Sequence, residues 1–215
     1  MRKYTVSLHP ATIPIAEPVT KFGGQPVWLT EAEWPVSKET GEPMRFIGQV
    51  ALYPEIFGDG EGKIAYIFMT DGDDYVDGTW EPEGGENAVI VQPSGDNVPT
   101  KPLATGPTLY QMKEIEGSTL LQPAPCEFSV ELEQGDDPEH GFEDDKGRAA
   151  YEELKIGGTP IFLQGEAYPD GGEWCLLLQL DSASVPFYVN FGDAGIGYAF
   201  ISEDGRRGKF LWQCA

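Results

Sequence analysis

Glycine and proline punctuate this chain so closely that of all the stretches free of both, only one, Glu173 to Val185, exceeds nine residues. There are 27 glycines and 18 prolines in 215 residues. A mean α-helix runs about 11 to 12 residues, whereas a strand needs about 5 to 6 and tolerates flanking turns. Long helices are thereby excluded, and the chain is predicted to be mainly β, with an α+β assignment open if its short helices count. Apolar side chains at every second position in Tyr4, Val6, Leu8 and in Phe128, Val130, Leu132 read as half-buried strands. Continuous apolar runs at Ile64 to Met69, Ala88 to Val91 and Cys175 to Leu178 read as strands covered on both faces. One or two short helices are expected, over Arg148 to Lys155 with Gly157 as a stop, and over Leu109 to Ile115.

A set of anchors recurs about 132 residues apart. Gly23-Gly24-Gln25-Pro26, Leu29, Trp34-Pro35, Gln49, Tyr66 and Phe68 are followed in the same order by Gly157-Gly158-Thr159-Pro160, Leu163, Tyr168-Pro169, Gln179, Tyr198 and Phe200. The spacing predicts two related β-rich halves, 1–105 and 106–215, within a single unit spanning 1–215. Loop chemistry from Pro93 to Pro99 and at Gly106-Pro107 suits a crossover between them.

Lys and Arg number 14 against 36 Asp and Glu, a formal net charge of −22. That surplus repels phosphate backbones and anionic lipid and attracts basic partners, so a basic protein or peptide is the expected partner, and neither nucleic acid nor a membrane surface is. No apolar run approaches the roughly 20 residues of a membrane helix, and no signal-peptide core follows Met1, which points to a cytoplasmic protein. Cys126, Cys175 and Cys214 are odd in number and far apart, so they read as free thiols rather than a disulfide framework or a zinc knuckle.

Chemistry is sparsely signalled. A nucleophile and base pair needs a histidine beside a Ser or Cys, and only His9 and His140 exist, both in polar surroundings. The acidic stretch Asp71-Gly72-Asp73-Asp74-Tyr75-Val76-Asp77-Gly78 fails as a calcium loop, because Tyr75 and Val76 stand where a ligand and glycine belong. Neither double glycine continues as a phosphate-binding loop. No cofactor, transition metal or catalytic residue is implied. Gln49 and Gln179 lie in apolar strands, where a buried amide must find partners, either structural ones or the backbone of a ligand. With Trp34, Tyr168, Asp181 and Asp193 they are the candidate lining of a groove. Asp136, Asp137, Asp144 and Asp145 are the candidate docking face for a basic protein.

The string Lys21-Phe22-Gly23-Gly24-Gln25-Pro26, Trp34-Pro35, Gly41-Glu42-Pro43-Met44, Phe46 and Gln49, with Leu178-Gln179-Leu180-Asp181-Ser182, Phe191-Gly192-Asp193-Ala194-Gly195, Tyr198, Phe200-Ile201 and Trp212-x-Cys214, resembles the bacterial YwqG family, a domain family of unknown function (DUF1963). It departs from the family pattern at Ala183, where a second acidic residue commonly follows Asp-Ser, and at Phe191, where Trp commonly precedes Gly-Asp. That family is distantly similar to a eukaryotic group including programmed cell death protein 2, whose members chaperone a ribosomal protein. The resemblance implies an extended-peptide or client-binding role and supplies no catalytic residue. Two function classes follow. One is a peptide- or protein-binding module, chaperone-like or an immunity protein against a basic toxin. The other is a hydrolase or divalent-cation-dependent enzyme using carboxylates around Asp181 and Asp193. Charge, repeat and the poverty of catalytic residues favour the first.

Overall fold

The computed structural model describes residues 1–58, 60–72, 76–93, 98–137 and 153–214. Fourteen strands and one four-residue helix are defined among them. The strands are β1 (Arg2–Pro10), β2 (Lys21–Gly23), β3 (Trp34–Pro35), β4 (Arg45–Ala51), β5 (Ile64–Met69), β6 (Asn87–Gln92), β7 (Thr100–Lys101), β8 (Tyr110–Glu114), β9 (Leu121–Pro125), β10 (Glu127–Asp136), β11 (Lys155–Gly157), β12 (Trp174–Asp181), β13 (Ile196–Ser202) and β14 (Gly208–Gln213); α1 spans Pro54–Phe57 between β4 and β5. The mainly β expectation holds. The helix expected over Leu109 to Ile115 does not form: that stretch is β8, hydrogen-bonded antiparallel to β9 from Tyr110↔Pro125 to Glu114↔Leu121. Its helix-forming residues are overridden by a cross-strand partner that begins immediately beyond the turn in which Ile115 N–H donates to Leu120 O at 2.9 Å. Of the helix expected over Arg148 to Lys155, most lies outside the described residues, and Lys155 itself opens β11.

Ten strands form one sheet in the order β14-β13-β12-β11-β1-β10-β2-β4-β5-β6, with β3-β7 and β8-β9 as separate pairs. The order reads alike from both ends of the central β1–β10 ladder, whose nine pairs run from Arg2↔Asp136 to Pro10↔Phe128. The sheet curls until its two end strands nearly meet. A Cβ on Gly208 of β14 would come within 2.3 Å of the Val89 side chain on β6, and the Trp212 indole donates to Thr79 Oγ1 at 3.2 Å.

This curl explains the uninterrupted apolar runs. Alternate residues of β5 face opposite ways: Ala65, Ile67 and Met69 enter the barrel interior, and Ile64, Tyr66 and Phe68 enter an outer cluster with Trp34, Met44 and Phe46. In β13, Ala199 and Ile201 point inward, whereas Tyr198 and Phe200 join Leu176, Leu211 and Phe162 outside. The outer clusters are roofed by the loops 24–44 and 159–173.

Bonding around the first roofing loop recurs around the second. Gln49 pairs with Lys21 and Tyr66, and Gln179 pairs with Lys155 and Tyr198. Val27 N–H donates to Gln49 Oε1 at 2.9 Å, and Ile161 N–H to Gln179 Oε1 at 3.0 Å. The Tyr66 and Tyr198 hydroxyls donate to Val27 O at 2.8 Å and Ile161 O at 2.7 Å. Gln92 and Gln213 hold Thr30 and Gln164 in the same manner, at 3.1 and 2.9 Å. Each roofing loop is therefore fixed by buried amides. The two sets of strands interlock, because β1 pairs with β11 and β10 with β2. Gly23 and Gly157 stand at the same point in each half with φ of +69° and +73°. A Cβ there would meet Cys126 O at 2.2 Å and Arg2 O at 3.0 Å, so only glycine fits both the backbone and the space.

Candidate binding cleft

The most chemically distinctive surface lies where the separate hairpin β8–β9 leaves the barrel wall. Phe46 N–H donates to Pro107 O at 2.9 Å, which lays the segment before β8 along the start of β4. Arg45, first residue of β4, is held there on three sides. Its Nη1 donates to Thr108 O at 2.8 Å, its Nη2 pairs with the Asp71 carboxylate, and its guanidinium carbon lies 4.6 Å from the centre of the Tyr110 ring. Such a cation–π contact contributes about 0.5–1 kcal/mol at a partly exposed site. Tyr110 in turn stacks on Tyr188 at 5.3 Å and 26° between planes, and Tyr188 N–H donates to Tyr110 O at 2.9 Å.

Two adjoining hollows open on either side of the Arg45–Asp71 pair. One, of about 800 Å³, is lined by Glu39, Glu42, Asp71 and Asp77, four carboxylates against the single guanidinium of Arg45. The other, of about 600 Å³, is lined by Tyr110, Tyr188, Pro107, Pro123 and Pro125. Both share Arg45, Asp71, Gly72 and Pro107. Buried polar atoms are normally bonded, yet Arg45 Nε and Thr108 Oγ1 are buried here without a partner. The cleft thus sets an aromatic face against an acidic rim, with those two unpartnered atoms buried in its wall.

The sequence-predicted groove residues are not gathered on one open surface. Trp34, Gln49 and Gln179 are each 0% exposed. The Trp34 indole donates to Met44 O at 2.8 Å, and Gln49 Nε2 donates to Val19 O at 2.8 Å. Tyr168 is exposed and packs its ring against Phe162 and Phe200 at 5.3 and 5.5 Å. Asp181 is buried, its carboxylate accepting Ala183 N–H at 2.8 Å and the Ser184 hydroxyl at 2.7 Å. Asp193 is exposed in the turn before β13. Asp181 therefore caps its own turn.

The expected docking face divides. Asp136 is exposed, Asp144 and Asp145 lie outside the described residues, and Asp137 is buried. Asp137 is not a docking carboxylate: it lies 2.5 Å from Lys155 Nζ and 2.9 Å from Lys3 Nζ, and it accepts Thr159 N–H at 3.1 Å. Burial works against its charge, but the bonds from Lys155 and Lys3 prevail and hold its carboxyl below the ordinary value. Burial pushes the Lys155 ammonium down, opposed by Asp137. In the other half Lys21, 1% exposed, pairs with Glu127 at 2.6 Å. These two buried lysines are functional-looking only by their charge; both tie strand ends to neighbouring loops. Their signal is in the sequence, a lysine two residues before each double glycine.

The three cysteines are free and half-buried, and burial pushes the Cys126 thiol up to about 11. No group of three or more His, Cys, Asp or Glu placed to hold a metal ion occurs among the described residues, and none of their helices is long and apolar enough to cross a membrane.

Against known families, the model of a domain of unknown function, DUF1963, matches residues 20–210. The chain belongs to that family. The match takes in both roofing loops, both buried lysines and every residue of the cleft, from Gln25 to Tyr188. No curated protein matches the sequence. The family assignment carries no activity, so what the cleft does must be argued from its own chemistry.

Proposed function

We propose that the protein is a binding module that receives an extended basic segment of a partner protein or peptide in the cleft at Arg45, Asp71, Tyr110 and Tyr188. The observation that carries this reading is the pairing of an acidic hollow with an aromatic one around a single fixed guanidinium. Lysine or arginine side chains of the partner meet Glu39, Glu42 and Asp77 in the first hollow. Tyr188, 41% exposed, supplies apolar contact beside the Arg45 guanidinium. The net charge of −22 raises the encounter rate for such a partner, and this steering falls off over about 8 Å at physiological ionic strength.

The test is titration of a fluorescently labelled hexa-arginine peptide against the protein and against Asp77→Asn and Tyr188→Ala, followed by anisotropy. Both substitutions are at exposed positions, with circular dichroism as the check on folding. Each is expected to weaken binding by about threefold to thirtyfold, and the parent's association rate is expected to fall steeply with salt. Equal affinity in all three proteins would overturn the reading.

A further inference from the structure

The aromatic hollow does not end at the cleft. Directly opposed residues of an antiparallel pair share a face, and so do alternate residues along a strand. In the β8–β9 hairpin the pairs Tyr110↔Pro125, Met112↔Pro123 and Glu114↔Leu121 therefore lie on one face. Tyr110 and Pro123 of that face line the cleft, whereas Gln111 and Lys113 of the other face line a different hollow, with Pro125 at the base of the hairpin bordering both. The cleft-facing side thus continues outward as an apolar strip through Met112 and Leu121, which are 48% and 56% exposed. From Tyr110 to Glu114 it runs four residues, about 14 Å at the rise of an extended strand. Prolines at 123 and 125 leave β9 without two of its backbone donors, so recognition here falls to side chains rather than to an added strand.

We infer that this strip is the second part of the binding track and sets the order of the ligand. It takes an extended peptide whose basic residues sit in the cleft and whose apolar side chains, at alternate positions beyond them, lie on Met112, Pro123 and Leu121. The inference rests on the basic-segment reading of the cleft. A basic partner is favoured over a second copy of this chain because each copy carries −22, and bringing the strips together sets those charges against each other.

The experiment uses three labelled peptides and the full chain. The composite is Arg-Lys-Ser-Leu-Ser-Leu-Ser, the basic peptide has serine in place of both leucines, and the reversed peptide carries the composite sequence backwards. The variant is Met112→Ser with Leu121→Ser, both at exposed positions, with circular dichroism as the check on folding. The parent is expected to bind the composite at least about tenfold more tightly than the basic or reversed peptide, a difference of about 1.4 kcal/mol. The double variant is expected to bind composite and basic peptides alike, at the parent's affinity for the basic one. Equal affinity of the parent for composite and basic peptides overturns the strip and leaves the cleft reading standing. A composite preference that survives in the double variant also overturns the strip, and equal binding of the reversed peptide overturns the order. Failure of all three peptides to bind overturns both readings. A parent that sediments as a dimer and a double variant that sediments as a monomer overturns the inference in favour of self-association.

Discussion

Replacing Gln49 by leucine tests whether the buried amides are fastenings or ligand-binding groups. Leucine nearly matches the volume but has neither the acceptor nor the donor. Gln49 is 0% exposed; its Oε1 takes Val27 N–H at 2.9 Å, and its Nε2 gives a hydrogen bond to Val19 O at 2.8 Å. Leaving a buried donor unpaired costs about 1–3 kcal/mol. Val19 lies at an exposed position, so the loss is reckoned from the Val27 donor alone. A net loss of about 2 kcal/mol follows, and for a chain of this size that lowers the melting temperature by about 4–8 °C. The loss reaches further than one bond. Val27 leads into Trp28, which stacks on Tyr66 at 4.7 Å and on Phe68 at 6.1 Å, so the roof over the first outer cluster loosens with it. Scanning calorimetry with near-ultraviolet circular dichroism, which reports the tryptophans, measures both effects. Gln179→Leu, which orphans Ile161 N–H, is expected to behave alike. Melting within about 1 °C of the parent in either variant, well inside the range a lost buried bond produces, would refute the fastening role.

Two further perturbations follow from the packing and the charges. Gly208→Ala puts a Cβ 2.3 Å from Val89 Cγ1 at the seam between β6 and β14, and overpacking of this kind costs about 1–3 kcal/mol, so the urea midpoint is expected to fall while Gly117→Ala, at an open but left-handed position, reports backbone strain alone. Asp137 has a folded pKa held below its unfolded value, so its stabilisation is complete above the unfolded pKa of about 3.9 and is lost as pH falls through the depressed folded value. Asp137→Asn is expected to lower stability at pH 7 and to flatten the decline between about pH 5 and 3, read from urea midpoints; parallel curves for parent and variant would sink the assignment.

How much of this was legible in the sequence depends on the range over which each constraint acts. Turn residues act locally, so their density excluded long helices, and Ile64 to Met69 is β5 with both faces covered as its unbroken apolar run requires. The alternating stretches at Tyr4, Val6, Leu8 and Phe128, Val130, Leu132 proved to be partners, with Val6 opposite Leu132 and Leu8 opposite Val130. The expected helix at 109–115 failed because propensity is a weak prior against a strand partner whose prolines read as breakers. The glutamines read as buried amides needing partners, structural ones first, but nothing in a one-dimensional pattern says that those partners are Val27 and Ile161, so a groove stayed open as the alternative.

Arg45 shows the same limit more sharply. In the sequence it is one basic residue between Met44 and Phe46, and an isolated cation in an acidic chain reads as a solvated charge. Its role comes from three segments that meet only in the fold: Thr108 supplies a carbonyl, Asp71 a carboxylate and Tyr110 a ring. Those restraints orient the guanidinium so fully that Nε is left buried and unpaired beside a stacked tyrosine. A buried donor without a partner in the wall of a cleft costs the folded chain free energy, so a ligand whose docking shifts Arg45 until Nε meets a carbonyl gains by relieving that cost.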